Sequence, residues 1–338
     1  MIPALLLVGL PVGLLLLGLP FAGVPAVRRL AGMLPPREAA GVLAGGAALM
    51  AAVTVAALVA LFQVPFLAVL ERVPFAEVVA RWPAALPVST AAGAVLAVRA
   101  WALVARWRRQ RALLVRAWTL VSGEVPAGGT QGGTQGGTQG GTAGGDVLVV
   151  ADDRPEAFAL PGLRGAGGRV VVSTGMLRIL GPAEREVLLA HERAHLTGRH
   201  RLLSAVVDLA GAVHPAVRGL GPALGFQLER WADEAAAARV GDRRLAAAAL
   251  ARAALAAGAR PDLGPDRGPV LAVGTGPVPR RVAALLGPVP QRPRGRAARA
   301  GAWGLAVAVS GAAAVGLAAA YGLHEYVEYA ARALTTGR

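Results

Sequence analysis

Four stretches of this chain are too long and too apolar to be faces of a soluble domain. Residues 2–24, 40–62, 84–105 and 301–323 each reach the ~20 residues a helix needs to cross a bilayer's hydrocarbon layer. Inside lipid every main-chain N–H and C=O must be bonded within the protein, so only helices and closed barrels cross. These runs lack strand-like alternation and read as helices. No basic residue precedes the first run, and it is longer than a signal-peptide core. It is therefore read as an anchor, although Ala22-Gly23-Val24-Pro25-Ala26 resembles a cleavage site.

The arginines orient the runs. The chain has 35 basic residues against 20 acidic ones, a net charge of +15, and no lysine. Arg28, Arg29 and Arg37 lie between the first two runs, and Arg106, Arg108, Arg109, Arg111 and Arg116 follow the third. Arg292, Arg294, Arg296 and Arg299 precede the fourth. In residues 63–83, by contrast, Glu71 and Glu77 balance Arg72 and Arg81. The positive-inside rule then places 106–300 in the cytoplasm and both termini outside, the expected setting being a bacterial inner membrane. Arg99 snorkels toward the basic interface. Much of the charge thus sits beside the membrane, facing anionic lipid. No nucleic-acid-reading motif accompanies it, so no direct nucleic-acid partner is expected. The absence of cysteine excludes disulfides and thiolate metal sites.

The chemistry centres on His191-Glu192-Arg193-Ala194-His195, an HExxH sequence after the largely apolar Val187-Leu188-Leu189-Ala190. On a helix His191 and His195 share a face and can hold one metal, with Glu192 beside it as a proton acceptor. Zinc suits neutral imidazoles plus a carboxylate. The chain offers Glu229 as a third ligand in Glu229-Arg230-Trp231-Ala232-Asp233-Glu234, with Asp233 on the same helical face. Two histidines, one glutamate and one open position make a hydrolytic site, and Asp233 would fix the tautomer of a ligand histidine.

These segments, together with Gly168–Leu177 and His214-Pro215-Ala216-Val217, resemble the integral-membrane zinc metallopeptidases of the BlaR/MecR type. The HtpX and CAAX-prenyl-protease group shares the core more distantly. The likeness covers about residues 146–245. It implies one zinc per chain on His191, His195 and Glu229, Glu192 as catalytic base and Asp233 behind the ligands. It also implies a protein substrate such as a BlaI/MecI-like transcriptional repressor, and signal transduction by cleavage. The chain departs from the pattern twice. Glu156-Ala157-Phe158 stands where the related group often has Asn-Ala-Phe, and the sequence reaches Arg338 soon after the fourth run, so beta-lactam sensing is not expected to carry over.

The expected fold is an α-helical membrane protein with four transmembrane helices and an inserted α+β zincin-like (gluzincin) metallopeptidase domain. Residues 1–106 hold three spans, and 107–145 a basic segment and a Thr-Gln-Gly-Gly repeat that reads as a flexible linker. Residues 146–258 form the peptidase domain, 259–300 a Pro/Arg-rich irregular return, 301–323 the fourth span and 324–338 a tail. Strands are expected at 146–151, 158–161 and 169–174. In this fold class the strand before the metal-binding helix is an edge strand, so Val170, Val171, Val172 and Ser173 are expected to pair with extended substrate. A helix is expected at 202–213. His200 and His214 read as structural histidines; His214 or Arg230 is a candidate to stabilise a tetrahedral oxyanion. No tyrosine occurs before Tyr321, which excludes a phenol there. The alternative to an endopeptidase is a non-proteolytic membrane scaffold with a structural zinc, against which Glu192 and the open position argue.

Overall fold

The first apolar run is helical in the computed structural model. The structure describes residues 2–70, 76, 79–80, 83–123, 146–163, 165–258 and 278–291, and positions 300, 301, 303, 304, 307, 311 and 314. The Thr-Gln-Gly-Gly repeat and most of the fourth run lie outside these residues. Contacts divide the chain into two units: Met1–Trp107, Ser204–Leu224 and Gln291–Arg338 form one, Arg108–Leu203 and Gly225–Pro290 the other.

In the first unit α1 (Ile2–Gly32) and α2 (Pro36–Leu70) are joined by a short turn and pack along each other. Their seam holds Val27, Ala31, Ala40, Leu43 and Ala47. Glycine permits the close approach: a Cβ on Gly46 would lie 3.1 Å from the Val27 methyls. Small residues at such seams let apolar helices pack where lipid offers no hydrophobic drive. Helix α3 (Ala85–Gly123) follows, and its Ser89 hydroxyl donates to the Phe62 carbonyl at 2.7 Å. Among the described residues, two helices are long and apolar enough to cross a membrane, over Pro36–Gln63 and Leu86–Val121. They take in the second predicted run and all but the first two residues of the third.

The second unit is built on three strands: β1 (Val147–Val150), β2 (Ala157–Leu160) and β3 (Arg169–Ser173). Their order is β1-β3-β2, with β1 parallel and β2 antiparallel to β3. This corrects the expected substrate strand. Val170, Val171, Val172 and Ser173 lie on the central strand, paired on both sides, and cannot accept another. The three valines are all at most 3% exposed. Val171 packs with Val121 and Leu160, Val172 with Met176 and Val187. A continuous β-branched run marks a strand covered on both faces, and that physical meaning outweighs the resemblance.

Helix α4 (Thr174–Ile179) is capped by Ser173, whose hydroxyl accepts the Met176 N–H at 3.0 Å. Helix α5 (Pro182–Thr197) has Pro182 in its first turn, and the Glu184 carboxylate accepts the Gly181 N–H at 2.9 Å. Both devices satisfy amides that a helix start leaves unpaired. Helix α6 (His200–Val213) leads to a short 3-10 helix, then α7 (Gly221–Val240) and α8 (Arg243–Gly258). The buried Ala246, Ala247, Ala249 and Ala253 of α8 allow close packing on α5.

A last helix, α9 (Val278–Leu286), stands where an irregular return was expected. Val278, Val282 and Leu285 recur at helical spacing and face the core, while Pro279 sits in the first turn, where no helical N–H is lost. Overall Pro/Arg content hid that short period. Arg243 ties down the far end, donating to the Ala284 and Leu285 carbonyls at 2.9 Å and pairing with Glu234.

The β3–α4 corner tolerates no side chain at Gly175: a Cβ would lie 2.1 Å from the Asp153 carbonyl oxygen. Gly175→Ala is expected to destabilise this unit by about 2 kcal/mol or more, seen as a lowered Tm in detergent. Gly225→Ala, a helical site with open space around it, should leave Tm unchanged or raise it.

Candidate metal centre

Two helices bring the ligand set together. On α5, His191 and His195 sit one turn apart with their Nε2 atoms 3.1 Å from each other. From α7, Glu229 places Oε1 3.6 Å from His195 Nε2 and Oε2 3.7 Å from His191 Nε2. One ligand atom from each of the three residues lies within 4.8 Å of the others, close enough for His191, His195 and Glu229 to hold one metal ion together. Glu192 is fully buried, and neither carboxylate oxygen has a hydrogen-bond partner among the described residues. A buried, unpaired carboxylate beside a cluster of ligand type fits a site built to hold a cation and act on water. The chemistry of the donors fits zinc.

Behind the ligands the charges are locked. Asp233 sets Oδ1 3.1 Å from His191 Nδ1. Arg281, on α9 and 1% exposed, donates to both Asp233 oxygens at 2.6 and 2.8 Å. Its Nη1 also lies 2.8 Å from Glu229 Oε2. The same guanidinium thus contacts one candidate ligand, Glu229, and the carboxylate that faces another, His191. Sequence reading missed Arg281. Its signal was the phase of the second of two arginines, which falls with Val278, Val282 and Leu285 on one helical face.

Burial alone would lower the His191 pKa, but Asp233 and Glu229 outweigh it and hold the ring up at about 10. Burial pushes His195 down to about 3, helped by the charge on His191. Burial raises Glu192 to about 7; Glu229 adds to the rise, while His191 and the Ala159 main chain oppose it. Burial works against ionised Asp233, yet hydrogen bonds from Arg281 and His191 keep it below the usual carboxylate range.

The other candidates are placed elsewhere. His214 caps the 3-10 helix Pro215–Leu220, accepting the Ala216 N–H, and its Nε2 lies 3.1 Å from the Leu17 carbonyl oxygen. Both bonds are within the first unit. Arg230 follows Glu229 on α7, its guanidinium 6.0 Å from the centre of the Phe226 ring. Beside α5 runs β2, an outer strand of the sheet. The bond from Ser173 N–H to the Glu156 carbonyl sets the phase of the ladder. Ala157 and Ala159 therefore turn their main-chain groups away from β3.

Residues 143–289 match the model of Peptidase family M48, a span that takes in α9 and Arg281. A 68-residue stretch, 20% of the chain, is 38% identical to a protein described as "Protease HtpX homolog" from Thermodesulfovibrio yellowstonii. The chain spans about a quarter of the length of that curated relative, 24%. No solved structure matches the chain. These matches lie on the HtpX side of the resemblance and support a metallopeptidase of the membrane type, in keeping with the two apolar helices.

Arg281 makes a two-sided test of the charge balance. Arg281→Met leaves Asp233 and Glu229 buried without their cation and is expected to destabilise the metal-free protein by about 3–5 kcal/mol. Added zinc should raise the Tm of this variant more than that of the parent, because the dication then neutralises the same carboxylates.

Proposed function

We propose that this chain is a membrane-embedded zinc endopeptidase that cleaves a cytoplasmic or membrane-proximal protein. The observation that carries the reading is the buried, unpartnered Glu192 carboxylate next to the three clustered ligand atoms of His191, His195 and Glu229. A structural zinc would be closed by a fourth protein ligand and would need no adjacent base. Of the partners named by resemblance, a repressor of the BlaI/MecI kind remains an instance of this substrate class.

His191, His195 and Glu229 would hold the zinc, which supplies Lewis acidity toward a peptide carbonyl and toward water. Glu192 takes the proton from the attacking water and returns it to the leaving amine. Burial favours that exchange, because it brings the carboxyl's affinity for a proton close to neutral pH. Asp233 holds His191 in the tautomer with Nε2 free for the metal. Arg281 keeps Asp233 and Glu229 ionised. An extended substrate segment pairs with the outer edge of β2, in place of β3, through the outward main-chain groups of Ala157 and Ala159. Four spans, a cytoplasmic site and outward termini complete the proposal and rest on the arginine distribution.

Glu192→Gln in detergent-solubilised protein should keep about one zinc and lose proteolysis of a casein-type substrate by about 10²–10⁴-fold. Zinc-free parent protein would remove the ligand assignment; an active variant would remove the role of Glu192. A base raised above its ordinary 4.5 loses its working form as pH falls through the shifted value. A bound dication draws that value back down, so kcat/KM should show an acid limb between 4.5 and about 7. The chain has no cysteine, so Gln131→Cys is a clean topology reporter. In intact cells it should react with membrane-permeant maleimide and resist an impermeant one.

A further inference from the structure

His200 has no part in the chemistry above, yet it is 0% exposed and its Nδ1 lies 2.8 Å from the Nδ1 of His195. We propose that His200 is a positioning residue for the metal centre: it accepts the His195 Nδ1–H and so leaves His195 Nε2 free for the metal. The inference rests on the zinc reading above and assigns that site a residue of its own.

Two imidazole nitrogens at this distance bond only if one donates and the other accepts. His195 Nε2 faces His191 and Glu229, so as a metal ligand it carries no proton. The His195 proton is then on Nδ1, and His200 Nδ1 must be the acceptor. His200 in turn carries its own proton on Nε2. That atom is buried and has no hydrogen-bond partner among the described residues. A histidine kept only for packing would satisfy both nitrogens or turn one to water; here the side chain's one polar contact is with a ligand.

The local backbone is shaped to deliver this contact. Helix α5 ends at Thr197 and α6 begins at His200, so the helical run is broken at Gly198 and Arg199. Arg199 has φ +50°, a left-handed conformation that L-residues rarely adopt. A Cβ on Gly198 would lie 2.5 Å from His200 Nε2, so glycine is what leaves room for the ring. The ring is fixed on its other sides, edge-on to His195 at 4.6 Å between centroids and against Trp231 at 4.5 Å.

Charge explains why the acceptor is neutral. Asp233 backs His191 as an anion, offset by Arg281. A loaded site then sets the zinc dication and Arg281 against Glu229, Asp233 and an ionised Glu192, which balance. A carboxylate behind His195 would leave one negative charge buried and unpaired. An imidazole orients the ligand without adding charge.

The test measures zinc affinity of the full-length protein in detergent by competition with a chromophoric chelator, and the visible spectrum of its cobalt(II) form. His200→Leu keeps bulk and removes the acceptor; His200→Asn puts a carbonyl oxygen near the Nδ1 position. The Leu variant is expected to bind zinc 10–100-fold more weakly, with shifted cobalt bands, and the Asn variant to return to within a few-fold of the parent. Parent-like affinity and spectrum in the Leu variant would overturn the proposal, as would an Asn variant as weak as Leu. Should the Leu variant fail to fold, nitrogen-15 histidine spectra of the zinc-loaded parent decide, since the chain has five histidines. His200 protonated on Nε2 supports the role, and protonation on Nδ1 refutes it. A parent that binds no zinc refutes the metal centre itself, a result distinct from both.

Discussion

Asp233 sits between a candidate ligand histidine and a buried arginine, and both hold that carboxylate in its ionised form. A carboxylate at 4% exposure carries a large desolvation penalty unless its lone pairs are engaged. His191 Nδ1 engages one oxygen, and the Arg281 fork engages both. Because Arg281 also reaches Glu229, one cation offsets two anions and fixes the spacing between α7 and α9.

The sheet and helix α5 give this cluster its frame. Strand β3 is buried on both faces and leads through the Ser173 cap into α4, and the Gly181-Pro182 start then sets the entry of α5. With β3 central, the strand left on the outside next to α5 is β2. The phase of its ladder turns Ala157 and Ala159 outward, toward the region in which Glu192 lies close enough to feel the Ala159 main chain. The position of the strands thus decides where an extended chain could lie.

Much of this was legible from residue spacing. HExxH on a helix fixes that both histidines share a face, because 3.6 residues per turn leaves no other outcome. The same period pairs Glu229 with Asp233. The two strands flanking the first turn and the helix after His200 were also visible as local patterns. What local patterns could not supply was pairing order. The Val170–Val172 run says that a strand is buried, and only the partners on each side make it central. Arg281 was hidden for a related reason: its helix is nine residues long, in a segment whose proline and arginine content dominates any window.

The sequence by itself determined the candidate ligand types, their helical spacing, the carboxylate beside them and the apolar runs. Each of these follows from composition or from a period of a few residues, which the chain carries wherever it folds. Tertiary structure decided which strand is the edge, which cation compensates Glu229 and Asp233, and that His200 is turned back onto His195. Those are outcomes of contact between segments far apart in sequence or on either side of a helix break at a single left-handed residue. They are set by burial and charge balance, which exist only once the segments meet.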